Sequence, residues 1–456
     1  MDKFEKFRKE FPRFFYHGYE KEELADTLTV TYHFEIEGLS SFAPRWIFQK
    51  SAKFPELTKE NKTLETMLFS LGMVELVSYW KITCSPQVIV EAGVLNQEQI
   101  AWWKDLYFNG QGEFFYTNQI ETTVEDFMDI TAVGKEPAGK KARADRARGC
   151  LIPIGGGKDS AVTLELLKKT GETCRCYIIN PRGATINTTA VGGFSEDQVI
   201  VARRTLDKNM LELNKQGYLN GHTPFSALVA FSATIAAYLQ GLRYIALSNE
   251  SSANESTVLG STVNHQYSKS FKFEEDFHRY EERWIDSGTY YFSMLRPLSE
   301  FQIARYFAKC RAYHPIFRSC NVGSKEDIWC GHCPKCLFVY LILSPFLSRA
   351  ELKEIFGKDM LEDPEMIPIM EQLIGICEEK PFECVGSRSE INTAITLAIQ
   401  KLEEAGEALP VLFTYYRTTT LYETYRKLGD TYSAYYDREN LLPEQFRELV
   451  ERECIG

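Results

Sequence analysis

The sequence predicts an α/β protein in three parts: an N-terminal α+β domain over residues 1–133, a parallel-sheet domain over 150–344 and a helical region over 345–456, with a linker at 134–149. Three observations carry this expectation. From Cys150 onward strand, turn and helix alternate, the rhythm of a parallel sheet covered by helices on both faces. Before it, Leu28, Val30, Tyr32, Phe34 and Ile36 alternate with polar residues, the pattern of a half-buried antiparallel strand. Beyond residue 345, apolar residues recur at helical spacing.

In order along the chain, "TLTVTYHFEIE" and "RWIFQK" read as strands, and "NKTLETMLFSLGMVELVSYWK" as a helix with a polar start. "QVIVEAG" and a helix around Trp102 and Trp103 complete the first unit. "GKEPAGKKARADRARG" has no large apolar residue and mixes Gly, Ala and charge, so it reads as an exposed connection. Then come the strand "CLIPIG", a helix to Lys169, the strand "CRCYIIN", the helix "FSALVAFSATIAAYLQG" and the strand "YIALSNE". In such sheets ligands gather at the carboxyl ends of the strands. "SRAELKEIFG", "MIPIMEQLIGICEEK", "SEINTAITLAIQKLEEAG" and "LPEQFRELVERE" are the helical segments that follow.

Composition narrows the function classes. The chain of 456 residues is 44% apolar, enough for several cores, and carries 52 Lys plus Arg against 63 Asp plus Glu. The resulting net charge of -11 argues against a general polyanion binder, so no nucleic-acid partner is expected. The N-terminus "MDKFEKFRKEFPRFF" is charged, and no apolar run approaches the roughly 18 to 20 residues of a membrane span. The expectation is a cytoplasmic protein without a membrane partner. In that setting thiols stay reduced, so a tight group among the twelve cysteines points to metal or catalysis.

The loop "PIGGGKDS" lies between a strand and a helix start. Gly155, Gly156 and Gly157 permit positive φ and let backbone N–H groups face an anion at the helix N-terminus. Asp159 between Lys158 and Ser160 breaks the Walker A spacing, and the dinucleotide fingerprint fails as well. "GGGKDS" resembles the S-G-G-x-D-S signature of the PP-loop ATP pyrophosphatases, with Gly155 where that superfamily has its first Ser. The resemblance implies a HUP-like parallel sheet and a loop that grips the β- and γ-phosphates of ATP. It places Gly155, Gly156, Gly157, Lys158, Asp159 and Ser160 on pyrophosphate or its Mg²⁺, and Ile179 and Asn180 of "YIINP" beside the adenine. Attack then falls on the α-phosphorus, and stabilisation of the leaving pyrophosphate is the main catalytic contribution.

Cys320, Cys330, Cys333 and Cys336 follow a C-x9-C-x2-C-x2-C spacing, with Gly331 and Pro334 as turn formers. Two x2 gaps suit a tetrahedral structural Zn²⁺. His332 is an alternative ligand within the knuckle, and four thiolates also suit an iron–sulfur cluster.

Taken together, "TYHFEIEGL", "PIGGGKDS", "SNESSANE", "VNHQYSKS", "LRPLSEFQIARYF", "CGHCPKC" and "KPFECVG" resemble the UDP-N-acetylmuramoyl-L-alanyl-L-glutamate epimerase family over nearly the whole chain. The family implies ATP- and Mg²⁺-dependent inversion of the terminal L-Glu of a UDP-linked peptidoglycan precursor, a small-molecule partner. The chemistry is coherent with the loop: an acyl-adenylate loses its Cα proton far more readily than a carboxylate does. Proton transfer on the two faces then needs an acid and a base. Glu250 and His265 are the preferred candidates, since "SNESSANESTVLGSTVNHQYSKS" follows the strand "YIALS" and emerges at the ligand edge. Asn249, Asn254 and Glu255 are candidates for Mg²⁺, ribose or substrate, and Lys269 and Lys272 for phosphates or carboxylates. Cys384, in "FECVGS", is a candidate second base, and Arg296 either binds phosphate or caps a helix. The competing readings are a tRNA-modifying PP-loop enzyme, a 7-cyano-7-deazaguanine synthase-like enzyme and a zinc-stapled nucleotide sensor. The acidic net charge disfavours the first.

Overall fold

The computed structural model describes residues 2–51, 61–145 and 147–455; Arg146, inside the expected linker, lies outside the described residues. Among the described residues, eleven strands form one sheet. In chain order they are β1 (Arg13–Glu23), β2 (Thr27–Ile36), β3 (Ser40–Phe42), β4 (Arg45–Gln49), β5 (Gln87–Val90), β6 (Asp129–Ala132), β7 (Cys150–Pro153), β8 (Cys174–Ile179), β9 (Val199–Thr205), β10 (Tyr244–Leu247) and β11 (Tyr290–Ser293). The spatial order is β11-β10-β7-β8-β9-β4-β2-β1-β5-β6, with β3 paired to β2.

The half from β11 to β9 is parallel throughout. β9 then pairs antiparallel with β4, from Arg45↔Thr205 to Phe48↔Ala202, and β4 pairs antiparallel with β2. The sheet therefore runs unbroken across the position of the 134–149 segment, and the architecture is mixed α/β. That segment is strapped down at several points: Lys62 donates to Lys140 O, Ala144 to Ser287 O, and Arg143 pairs with Asp286.

The parallel strands are apolar on both faces because each face meets a different core. Leu151, Tyr177, Ile245 and Tyr291 point into one core, with the helix Phe225–Gln240 and the N-terminal strands. Their neighbours Cys150, Ile152, Cys176, Ile178, Ala246 and Phe292 point into the other, with the helix Lys158–Lys168 and the C-terminal helices. This is the period of two expected of a strand buried on both sides. The helix Lys62–Trp80 is apolar on nearly every side, so it is buried almost throughout its length. Its Glu75 is fully buried and accepts from Arg204 on β9 and from Trp46 on β4, an ion pair at the join of the two halves.

From β7 the chain moves outward through β8 to β9; it then returns to lay β10 and β11 on the opposite side of β7. The order reverses between β7 and β10. A crevice outside the carboxyl ends of those two strands is the expected ligand position.

Candidate functional site

β7 ends in the glycine loop. Gly156 has φ +85°, and a Cβ there would meet the Ala184 Cβ at 2.8 Å, so this position requires glycine. Gly155 is exposed and faces open space. Gly157 is the N-cap of the helix Lys158–Lys168 and makes no side-chain cap, which leaves the N–H groups of the first turn to an anion. Lys158 is buried and pairs with both Asp159 and Glu300. Glu300 opens the helix Glu300–Phe307, whose start follows β11.

β10 delivers Asn249 and Glu250. The carboxylates of Asp159, Glu250 and Glu300 come within 4.8 Å of one another. Burial opposes the charge on Asp159, but Lys158, Lys335 and Lys269 outweigh it and hold the carboxyl below its usual range. Burial pushes Glu300 up to about 8, against the pull of Lys158 and with Asp159 and Glu250 adding to the rise. Three carboxylates this close, two of them paired with Lys158, are a donor set suited to a hard cation.

Cys384 joins this group from far along the chain. Lys269 Nζ lies 3.2 Å from Cys384 Sγ, and Lys335 donates to Cys384 O. Burial opposes ionisation of the thiol, but Lys269, a hydrogen bond with His265, and Lys335 bring it down to about 6. Burial likewise opposes charge on His265, yet its hydrogen bonds with Cys384 and Glu113 hold the imidazolium up to about 9. A thiolate and an imidazolium therefore face each other near neutral pH. The turn bearing Cys384 is fixed by Lys380, which pairs with Glu255, and by Gln266 Nε2, which donates to Val385 O at 3.1 Å.

Lys158, Asp159, Glu250, His265 and Cys384 thus fall into one contiguous cluster with Lys269. The other positions singled out in the sequence have different surroundings. Asn180 has φ +51° and spends its side chain on the Arg204 backbone, donating at 2.8 Å and accepting at 2.9 Å. Ile179 ends β8 beside it. Asn249 donates to Ser293 Oγ at 3.2 Å, and Asn254 accepts from Phe271 N at 2.8 Å. Lys272 is exposed and paired with Asp105 and Asp276. Arg296 is fully buried: it pairs with Glu274 and donates to the carbonyls of Glu250 and of Lys269, the last residue of the short helix Tyr267–Lys269, and so ties two site loops together.

Four members escaped the sequence reading: Glu113, His222, Glu300 and Lys335. Glu300 sits in "RPLSEFQ", where Ser299 and Gln302 make a capping box that explains an acidic first turn without any ligand. Lys335 was hidden between two cysteines. Glu113 and His222 carry no motif at all.

The four cysteine sulfurs converge. Cys320 to Cys333 is 3.8 Å, Cys330 to Cys336 is 3.7 Å and Cys333 to Cys336 is 3.5 Å. Tetrahedral zinc with bonds of about 2.3 Å requires sulfurs about 3.8 Å apart, so the cluster fits the metal. Gly323 N donates to Cys320 Sγ at 3.1 Å, as a thiolate ligand would accept. His332 instead turns Nδ1 to Cys330 O at 2.9 Å and is exposed.

The sheet thus carries a glycine loop, buried acids and a thiol lowered by Lys269, His265 and Lys335 in one cluster of side chains. Residues 5–294 match the MurL N-terminal domain and residues 316–420 the MurL C-terminal domain. The chain belongs to this MurL family. It is 34% identical over 350 residues to a UDP-N-acetyl-alpha-D-muramoyl-L-alanyl-L-glutamate epimerase of Xanthomonas oryzae pv. oryzae, covering 74% of this chain and 76% of the relative. Proteins of the same name from Salinispora tropica and a Micromonospora species are each 34% identical over 74% of this chain, covering 73% and 76% of their own lengths. No solved structure matches the chain.

Proposed function

We propose that this protein epimerises the terminal L-Glu of UDP-MurNAc-L-Ala-L-Glu to D-Glu, with ATP as co-substrate and an acyl-adenylate as the activated form. The observation that carries the reading is that Lys269 and Lys335 act on both Asp159 of the glycine-loop helix and the Cys384 thiol, with Glu250 also in the field of Lys269, since a phosphate grip beside proton-transfer groups is what such chemistry requires. The relatives' names supply the substrate.

In this reading the backbone around Gly156 to Ser160 and the buried Lys158 hold the β- and γ-phosphates, leaving the α-phosphorus to the substrate carboxylate. Asp159 and Glu300 are the residues that would hold Mg²⁺, which would neutralise phosphate charge there. The Cys384 thiolate takes the Cα proton, and Glu250, also within the field of Lys269, serves the opposite face. His265 keeps Cys384 ionised. Cys320, Cys330, Cys333 and Cys336 would hold zinc as a structural staple that fixes Lys335 beside Cys384.

Incubation with ATP, Mg²⁺ and the L-Glu precursor in D2O tests the whole scheme. AMP, D-Glu product and deuterium at Cα are expected; a protein that forms neither AMP nor deuterated product is not this enzyme.

A further inference from the structure

Glu113 comes from the N-terminal third of the chain, on the short helix Gly112–Thr117, yet this helix is wedged against the site. Gly112 lies 3.8 Å, measured from an added Cβ, from the Val263 backbone. Tyr116 donates to Glu379 at 3.1 Å and its ring meets Phe382 at 5.4 Å. Between these contacts one carboxylate oxygen, Glu113 Oε2, receives His265 Nδ1 and stands 3.3 Å from His222 Nδ1. The two imidazole rings are 4.5 Å apart.

We propose that Glu113 is a positioning residue of the proton-transfer site: it anchors His265 through Nδ1 and so fixes the ring as the hydrogen-bond partner of Cys384, completing a carboxylate–imidazole–thiol relay. The proposal rests on the epimerase reading for its role in turnover. The geometry is that of a base oriented by a third group. The charged groups that face Cys384 are Lys269, His265, Lys335 and the neighbouring Glu383; those that face His265 and His222 are Glu113, Cys384, Lys269 and Lys81. Among them Glu113 is the carboxylate bonded to His265. Burial, followed by His265, lowers His222 to about 4, so of the two rings on this oxygen His265 carries the charge. Without Glu113 the imidazolium loses its anchor, and the thiolate loses part of the positive field that sustains it.

The test is alkylation of Cys384 by iodoacetamide across pH, read from the mass of its own peptide in the full-length protein, because the reaction needs neither ATP nor substrate. In the wild-type protein the rate is expected to be half-maximal near pH 6. In Glu113→Gln the midpoint is expected to move up by about one unit, so that at pH 6 the rate drops about fivefold. An unchanged midpoint overturns the proposal. Should Glu113→Gln fail to fold, Glu113→Asp is measured instead, with an intermediate rise expected and an unchanged midpoint again decisive. In turnover, Glu113→Gln is expected to lower kcat with little change in KM and to move the acidic limb of the pH profile upward. A shifted alkylation midpoint in a protein that makes no AMP would remove the epimerase reading and leave the relay standing.

Discussion

Gly156 and Ala184 approach so closely that no side chain fits between them: a Cβ on Gly156 would lie 2.8 Å from the Ala184 Cβ and 3.0 Å from its carbonyl carbon. Gly156 also has φ +85°, where a side chain is strained whatever the space. Gly156→Ala is therefore expected to cost about 1–3 kcal/mol in urea unfolding and, if the proposed reaction holds, to weaken ATP binding. Gly155 faces open space, so Gly155→Ser restores the hydroxyl of the PP-loop signature at a cost within about 0.5 kcal/mol and without loss of ATP affinity. Equal unfolding midpoints for the two variants would contradict this account of the loop.

Activity should follow a bell in pH. In the proposed reaction the thiol of Cys384, held near 6, must be deprotonated to accept a proton, so kcat/KM is expected to rise as pH climbs through that value. His265, held up to about 9, must stay protonated to sustain the thiolate, so kcat/KM falls as pH rises through that value. Both limbs belong to the pair, and Cys384→Ala should abolish exchange of the Cα proton. A profile with no acidic limb would remove Cys384 from the reaction.

Metal analysis of purified protein should find about one zinc per chain. Cys333→Ser, which removes the sulfur in contact with both Cys320 and Cys336, should lose the metal and at least about 3 kcal/mol of stability at saturating zinc. Iron in place of zinc would assign the cluster differently.

The buried Arg296–Glu274 pair makes a prediction of opposite character. Arg296→Met leaves Glu274 charged and unpaired in the core and frees the Glu250 and Lys269 carbonyls, at a cost of about 3–5 kcal/mol. Adding Glu274→Met should recover part of the stability, measured by thermal unfolding, while activity stays low because both site loops are released. Full recovery of activity in the double variant would show that the pair does not position the site.

Much of the fold was legible where a segment carries its own pattern. The strand expected at 27–37 is β2, Thr27–Ile36, and the helix after the glycine loop is Lys158–Lys168. β9 was passed over because "VIVARRT" turns from apolar to charged halfway along; Arg203 and Arg204 are tolerated in it because Glu75 waits beneath Arg204. β1, likewise, is apolar only at its start and runs out into "EKEE". The continuity of the sheet was illegible for a different reason. Pairing of Trp46 with Arg204 joins positions far apart in sequence, and neither strand records its partner. The same distance hid Glu113, which meets His265 152 residues later, whereas the glycine loop is local and could be read directly.

The β4–β9 junction also protects the protein from itself. In a chain starting at residue 147, β9 would lose β4 and present a seven-residue strand with open hydrogen-bonding groups along its whole edge. Such an edge is a template for pairing with other strands, so the truncated protein is expected to elute at a larger size than the full chain.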